Sequence, residues 1–151
     1  MKRIEGGAGL AADLDLLERI ATGAPLDPVV EKVVEKTQDA IGQNFATSSS
    51  PTGSPWPPRV DNLPHPLLIK TGALLAAALN RGPGGSVRAT GRAAELVIDK
   101  GTKLGGIPGA AAHHFGYPPR NLPQREFFAP RVEELRKVDE AALDEIDKLI
   151  G

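Results

Sequence analysis

The chain has 151 residues, of which 40% are hydrophobic and 25% charged, a composition typical of one globular domain with a modest core. It contains no cysteine, which excludes disulfides, thiol catalysis and thiolate metal sites. No apolar run approaches the roughly 20 residues that a membrane span needs, and no signal-peptide pattern follows the first basic residues. The sequence therefore predicts a single domain over residues 1–151, made in the cytoplasm and not bound to a membrane.

The net charge of −1 conceals an acidic, basic and acidic order of three blocks. Residues 59–130 carry nine basic and four acidic side chains, whereas residues 1–58 and 131–151 each carry three more acids than bases. Such blocks neutralise one another within the fold, pair with copies of the same chain, or line a path near nucleic acid. The middle block is too weakly basic to indicate a dedicated nucleic-acid binder.

The N-terminal third predicts two helices. Four apolar residues at helical spacing favour a short amphipathic helix over 9–21. Asp27-Pro28 is typical of an N-cap followed by proline at the first helical position, so a second helix is predicted over 28–46. Its apolar stripe consists of Val30, Val33, Val34, Thr37, Ile41 and Phe45.

Residues 47–66 contain six prolines and predict a long loop or arm, because proline lacks a backbone donor and restricts φ. The only tryptophan of the chain, Trp56, lies within it. A flexible linker would leave this large aromatic without burial. We therefore favour a loop that Trp56 pins, or one that becomes ordered against a partner.

The remaining residues predict short elements and one long helix. The stretch Leu67–Asn80 predicts a helix, with its start near Thr71. Strands at 86–90 and 94–100 are predicted to form a hairpin around Gly91-Arg92. A short helix at 108–115, a proline-rich turn at 117–123 and an extended segment at 125–129 precede an amphipathic helix opened by Pro130. The predicted class is α+β, a small antiparallel sheet with helices on one side and the C-terminal helix across it.

The residues contain no catalytic constellation, and we predict neither an enzyme nor a bound cofactor or metal. The three histidines are His65, His113 and His114. Neighbours on a helix point about 100° apart, so His113 and His114 are poorly placed to share a metal. One of them is expected to pack inward with a hydrogen bond while the other faces solvent.

Four pieces of the chain resemble, in order and spacing, the phage virion morphogenesis proteins, a family related to the tail completion proteins of contractile-tailed phages such as Mu and P2. They span about residues 40–150. The pieces are Phe45 with Pro51-Thr52-Gly53-Ser54-Pro55-Trp56, Leu68-Ile69-Lys70-Thr71-Gly72-Ala73-Leu74, Ala111-Ala112-His113-His114-Phe115-Gly116, and Leu122-Pro123-Gln124-Arg125-Glu126-Phe127-Phe128.

The resemblance implies a structural subunit of the head–tail junction of a virion, assembled in the host cytoplasm. Such a neck or tail completion protein forms a ring, expected to be a hexamer or dodecamer, and contacts other neck, portal-adaptor or tail-tube terminator proteins. Either Phe127 or Phe128 is expected in the core, and Arg125 either fixes the turn, where its guanidinium suits a carboxylate, or pairs across a subunit interface. The candidate interface residues are Trp56, Pro57, Pro58, Arg125 and Phe127.

Two other functions remain open from the sequence. A nucleic-acid-binding module would use the basic middle of the chain, and in a neck ring the same side chains would line the DNA channel. These residues are Arg81, Arg88, Arg92, Lys100 and Lys103. A small metal-dependent hydrolase would use His65, His113 and His114.

Overall fold

The computed structural model describes residues 26–59, 66–99 and 109–150, together with positions 14, 15, 17, 18, 21, 22 and 64. Within these residues the predicted α+β class is confirmed. The elements, in chain order, are α1 (Asp27–Thr47), α2 (Ala73–Ala78), β1 (Gly85–Thr90), β2 (Ala93–Ile98), α3 (Ala110–Phe115), two 3-10 turns (Pro118–Arg120 and Val132–Glu134) and α4 (Leu135–Ile150).

Helix α1 spans 21 residues and extends the predicted helix by one residue at each end. Asp27 lies inside its first turn rather than at the N-cap, which is Leu26, and its negative charge there favours the positive end of the helix dipole. Ser48 ends the helix in the left-handed conformation, and the amide of Ser49 donates to the carbonyl of Asn44 at 3.0 Å. Of the predicted helix over 9–21, the described positions 14, 15, 17, 18 and 21 are helical.

Helix α2 is shorter than the predicted helix over Leu67–Asn80. Gly72, with φ of 79°, precedes its first turn, and Leu68 already adopts a positive φ of 61° in the turn before it. Asn80 then reverses the chain with φ of 56°. Its side-chain amide donates to the carbonyls of Ser86 and Val97, at 2.9 Å each, so α2 is tied directly to the base of the hairpin.

The predicted hairpin is confirmed, with six antiparallel residue pairs from Gly85 and Ile98 to Thr90 and Ala93. One face packs Leu96 and Ile98 against the core. The opposite face carries the cross-strand pair Arg88 and Glu95. A Cβ at Gly85 would collide with the carbonyl oxygen of Ala77, so the strand can approach α2 only with glycine there.

Helix α4 packs along α1, which corrects the prediction that the C-terminal helix lies across the sheet. The chain between them explains why. The amide of Val132 donates to the carbonyl of Pro51 at 2.9 Å, and Nη1 of Arg131 donates to Oγ of Ser49 at 2.6 Å. These bonds direct the start of α4 toward the end of α1. No helix within the described ranges has both the length and the apolar character to span a bilayer.

Candidate functional site

The four sequence pieces that carry the resemblance meet in one buried cluster, which we call the motif core. It contains Phe45, Trp56, Leu74, His114 and Phe127. The ring of Phe45 lies 5.7 Å from that of Trp56 and 5.5 Å from that of Phe127, and His114 contacts Phe127 edge to face at 5.2 Å. Edge-to-face geometry places the positive edge of one ring against the negative face of the next. Each piece therefore contributes at least one side chain to the same core, and the first contributes both Phe45 and Trp56.

Trp56 is only 5% exposed, and its indole Nε1 donates to the carbonyl oxygen of Glu126 at 2.9 Å. Of the two favoured interpretations of the proline-rich segment, the loop pinned by Trp56 is the one observed. Phe127 is fully buried beside it. Because neither aromatic ring reaches the surface, the prediction that Trp56 and Phe127 anchor a subunit interface is corrected, and both stabilise this chain's own core.

Arg125 is 8% exposed and fixes the turn, as one of the two predictions for it stated. Its Nε and Nη2 donate to the carbonyl of Pro57 at 3.1 and 2.9 Å, and Nη2 also donates to the carbonyl of Pro58 at 3.1 Å. The described partners of the guanidinium are thus backbone carbonyls of the proline-rich segment, which lie 67 and 68 residues earlier in the chain. Pro57 and Pro58 are themselves exposed and stay interface candidates.

Asn44 is the residue of this region that the sequence interpretation missed. It is fully buried, and its Nδ2 donates to the carbonyls of Phe127 at 3.1 Å and Ala129 at 2.8 Å. Those carbonyls belong to an extended segment that pairs with no described strand, so the amide supplies the hydrogen bonds that a sheet would otherwise provide. Its place three residues after Ile41, on the apolar side of α1, is the one signal that pointed to burial.

His113 and His114 are both partly buried, which corrects the expectation that one of them faces solvent. Nδ1 of His114 lies 3.3 Å from the amides of both Phe127 and Phe128 and accepts from them. Burial lowers the pKa of His114, opposed by the nearby charge of Glu126. Burial also lowers the pKa of His113, and the charge of Arg125 adds to that effect.

The histidines do not assemble into a metal site in the part of the chain that the structure describes. No group of three or more metal-ligating side chains occurs there, and His65 lies outside it. Nδ1 of His114 is already occupied by two amide donors. Its free electron pair is therefore directed at the backbone rather than at an ion.

The predicted DNA-facing arginines are exposed but dispersed. Arg81 precedes β1, whereas Arg92 lies in the turn at its far end, and a strand of this length separates them by about 20 Å. Arg88 lies between them and pairs with Glu95 at 3.7 Å. Lys100 and Lys103 lie outside the described residues. The described arginines thus form no compact basic cluster.

One groove lies beside α1 and the start of α4, with a volume of about 360 Å³. It contains no histidine, serine or threonine to act as a nucleophile or base. Its lining side chains are mainly polar and of both charges: Lys36, Gln38, Asp39, Gly42, Gln43, Leu79, Glu134 and Lys137. Lys36 and Asp39 already pair with each other at 3.3 Å, so this groove offers no set of groups prepared for catalysis.

Comparisons with protein-family models, curated protein sequences and solved structures find no match to this chain.

Proposed function

We propose that this chain is a structural subunit of the head–tail junction of a tailed phage, a tail completion or neck protein that forms a ring and couples the head to the tail. The role is geometric and involves no turnover. Its partners are further copies of the chain and the neighbouring neck, portal-adaptor or tail-tube terminator proteins. The ring is expected to be a hexamer or dodecamer, located in the virion after assembly in the host cytoplasm.

The observation that carries this proposal is the convergence of the four resembling pieces in the motif core. Residues from positions 45, 56, 74, 114 and 127 come together although the intervening segments differ in length and composition. A fold shared with the family requires these positions to meet in one core, and in this chain they do. The pieces thus support a shared fold with the phage family, and the function follows from the resemblance rather than from a catalytic site.

The division between interior and surface also supports a docking role. Trp56 and Arg125 are used inside the chain, whereas several large apolar side chains remain at the surface, among them Phe115 and Leu143. Aromatic residues are enriched at the centre of protein–protein contacts. A subunit that functions only after assembly has a physical reason to retain them.

The proposal is tested by deleting the coding sequence from the phage or prophage that carries it and imaging the induced lysate by electron microscopy. We expect complete heads and complete tails that remain separate. A plasmid copy should restore joined particles. Normal yields of joined, infectious virions without the protein would overturn the proposal.

A second measurement tests ring formation directly. Light scattering of the purified protein, at low and moderate salt, is followed by negative-stain images of any large species. Closed rings are expected, alone or on isolated tails. If the protein neither forms rings nor associates with tails purified from the deletion strain, the ring-forming role is excluded.

A further inference from the structure

Two surfaces of this chain lie outside its core and are largely exposed, although the ring of Phe115 in the first of them contacts the ring of His114 edge to face at 4.7 Å. The first, which we call the knob, consists of Phe115, Tyr117 and Arg120. Phe115 is 70% exposed, the largest value among the exposed apolar side chains of the described residues, and Arg120 is also exposed. Aromatic and arginine side chains are the types that dominate binding energy at protein interfaces.

The backbone holds the knob in place. Tyr117 and Leu122 form a two-way bridge, with N–O distances of 2.9 and 3.1 Å, and Pro118 begins the 3-10 turn between them. Gly116 has a φ of 82°, and a Cβ there would lie 3.0 Å from the amide nitrogen of Gln124. A side chain presented from so constrained a turn loses little backbone freedom on binding.

The second surface, which we call the ridge, consists of Leu135, Asp139, Leu143 and Asp147 on α4. These residues are four apart and therefore follow one line along the helix. Leu143 is 56% exposed, and Leu135 and Asp139 are exposed as well. The ridge alternates an apolar with an acidic side chain over three helical turns.

The charges of the two surfaces are opposite and unused. Residues 109–124 contain no acidic side chain, and Arg120 forms no ion pair with any described residue. On α4 the basic residues pair with other acids: Arg136 with Glu140 at 2.9 Å, and Lys148 with Glu145 at 2.6 Å. Asp139 and Asp147 have no such partner among the described side chains, so the ridge carries two uncompensated carboxylates, with Asp139 exposed and Asp147 half-buried.

The two surfaces do not cover each other within one chain, since Phe115 and Leu143 both remain more than half exposed. We propose that the knob of one copy docks on the ridge of a second copy. Phe115 and Tyr117 would contact Leu135 and Leu143, while the guanidinium of Arg120 would lie between the carboxylates of the ridge. The acceptor surface thus matches the donor surface in both apolar character and charge.

This inference rests on the proposed ring-forming function and identifies the contact through which copies associate. In the proposed ring the knob of each copy contacts the ridge of the next, so the contact is heterologous and a docked pair leaves one knob and one ridge free. Such contacts propagate until a ring closes. One contact between a knob and a ridge involves few side chains and is expected to have low affinity, so the association should depend strongly on protein concentration.

Engineered cysteines test the contact, because the natural chain contains none. Arg120→Cys and Asp139→Cys are made in separate chains, one of them isotopically labelled, and the chains are mixed under mild oxidation. We expect the mixed disulfide to form severalfold faster than in a control that combines Ser86→Cys, on the exposed hairpin, with Asp139→Cys. Equal rates for the two mixtures would overturn the inference.

A capping experiment tests its head-to-tail character. One variant loses the knob (Phe115→Ser with Arg120→Glu) and the other loses the ridge (Leu143→Ser with Asp139→Arg). Matching thermal unfolding to the wild-type protein confirms that each is folded. Sedimentation at high concentration should give monomers for each variant alone and dimers for the mixture, because each retains one intact surface.

The outcomes separate this inference from the proposed function. If both capping variants still form rings, the knob and ridge are not the contact, although the ring-forming function stands. If the cysteine pair cross-links selectively while the deletion strain produces joined virions, the contact is correct and the assignment to the head–tail junction fails.

Discussion

The motif core and the hairpin formed by β1 and β2 both contain arginine, but the arginine of the core is buried and that of the hairpin is exposed. In the core, Arg125 and Asn44 are buried, and all of their described hydrogen bonds go to backbone carbonyls. In the hairpin, Arg88 is exposed and meets Glu95 only at 3.7 Å. A charged or amide side chain therefore does not by itself mark a binding site in this protein. The polar side chains that stabilise the fold are those that donate hydrogen bonds to backbone carbonyls outside the helices and strands.

The largest difference in stability between the two regions is expected from removing the ring of Phe127. Phe127→Ala leaves a cavity among Phe45, Trp56 and His114, and we expect the free energy of unfolding to fall by about 3–5 kcal/mol. Denaturant titration followed by the fluorescence of Trp56, the only tryptophan, measures it. The matched control is Phe115→Ala at the knob, where only the ring contact with His114 is lost and a fall of about 0.5–1.5 kcal/mol is expected. Similar losses at both positions would contradict the assignment of Phe127 to the core.

The second-largest effect is expected from Asn44→Ala. The substitution leaves the carbonyls of Phe127 and Ala129 buried without their donors, which costs roughly 2–4 kcal/mol for the two. Gln43→Ala, on the exposed side of the same helical turn, should change stability by less than about 0.5 kcal/mol. Urea denaturation of both variants provides the measurement, and a stable Asn44→Ala protein would show that the extended segment is held by other contacts.

Arg125→Lys keeps the positive charge but removes the planar guanidinium, so it tests whether the hydrogen-bond geometry or the charge stabilises the core. A lysine amine cannot reproduce the Nε and Nη2 contacts to Pro57 together, so we expect a loss of about 1–3 kcal/mol. The hairpin offers the matched control, Arg88→Lys, with an expected change below about 0.5 kcal/mol. Thermal unfolding of the two variants under identical buffer decides between them. Equal and small shifts would mean that the proline segment does not depend on the guanidinium.

The smallest predicted effect is a dependence of stability on pH. Protonation of Nδ1 would remove the acceptor that His114 offers to Phe127 and Phe128, and burial lowers the pKa of His114 below the ordinary value of 6.5. The stabilisation is therefore present above that value and is lost as pH falls toward the folded-state pKa. His113 shifts in the same direction.

Unfolding free energies measured from about pH 7.5 to 5 should decline toward acid. His114→Asn retains a side-chain oxygen in the place of Nδ1 but does not titrate, so the decline should be shallower in this variant. An unchanged slope would assign the pH dependence to His113 or to the carboxylates.

The elements that the sequence predicted well are those with a local repeating signal. Helix α1 and the hairpin follow from apolar residues at helical spacing and from strands on either side of Gly91-Arg92. Helix α2 was predicted too long, because Leu68 and Gly72 adopt positive φ values that a leucine and alanine-rich pattern does not reveal. The last helix is present but begins at Leu135, after a 3-10 turn over Val132–Glu134, and not at Pro130 as predicted. Its packing on α1 depends on side chains of Ser49 and Arg131 that no periodicity connects.

The candidate site was harder to predict than the elements. The sequence allows Trp56 either to pin its own loop or to anchor an interface, because a rigid aromatic on an extended segment suits both. The acceptor that distinguishes the two is 70 residues away in sequence. Arg125 reaches Pro57 across 68 residues. An arginine favours a carboxylate partner, and no local pattern indicates that the carbonyls of Pro57 and Pro58 accept from Arg125. Pairings of this range leave no trace in a single sequence.

The long reach of these bonds bears on how the protein is made. Asn44 of α1 donates to the carbonyl of Phe127, which lies 83 residues later in the chain. This hydrogen bond can therefore form only after Phe127 has been synthesised. Closing loops of this length is slow relative to local helix formation. The nascent chain therefore emerges from the ribosome with Phe45 and Trp56 lacking part of their packing until Phe127 has been made.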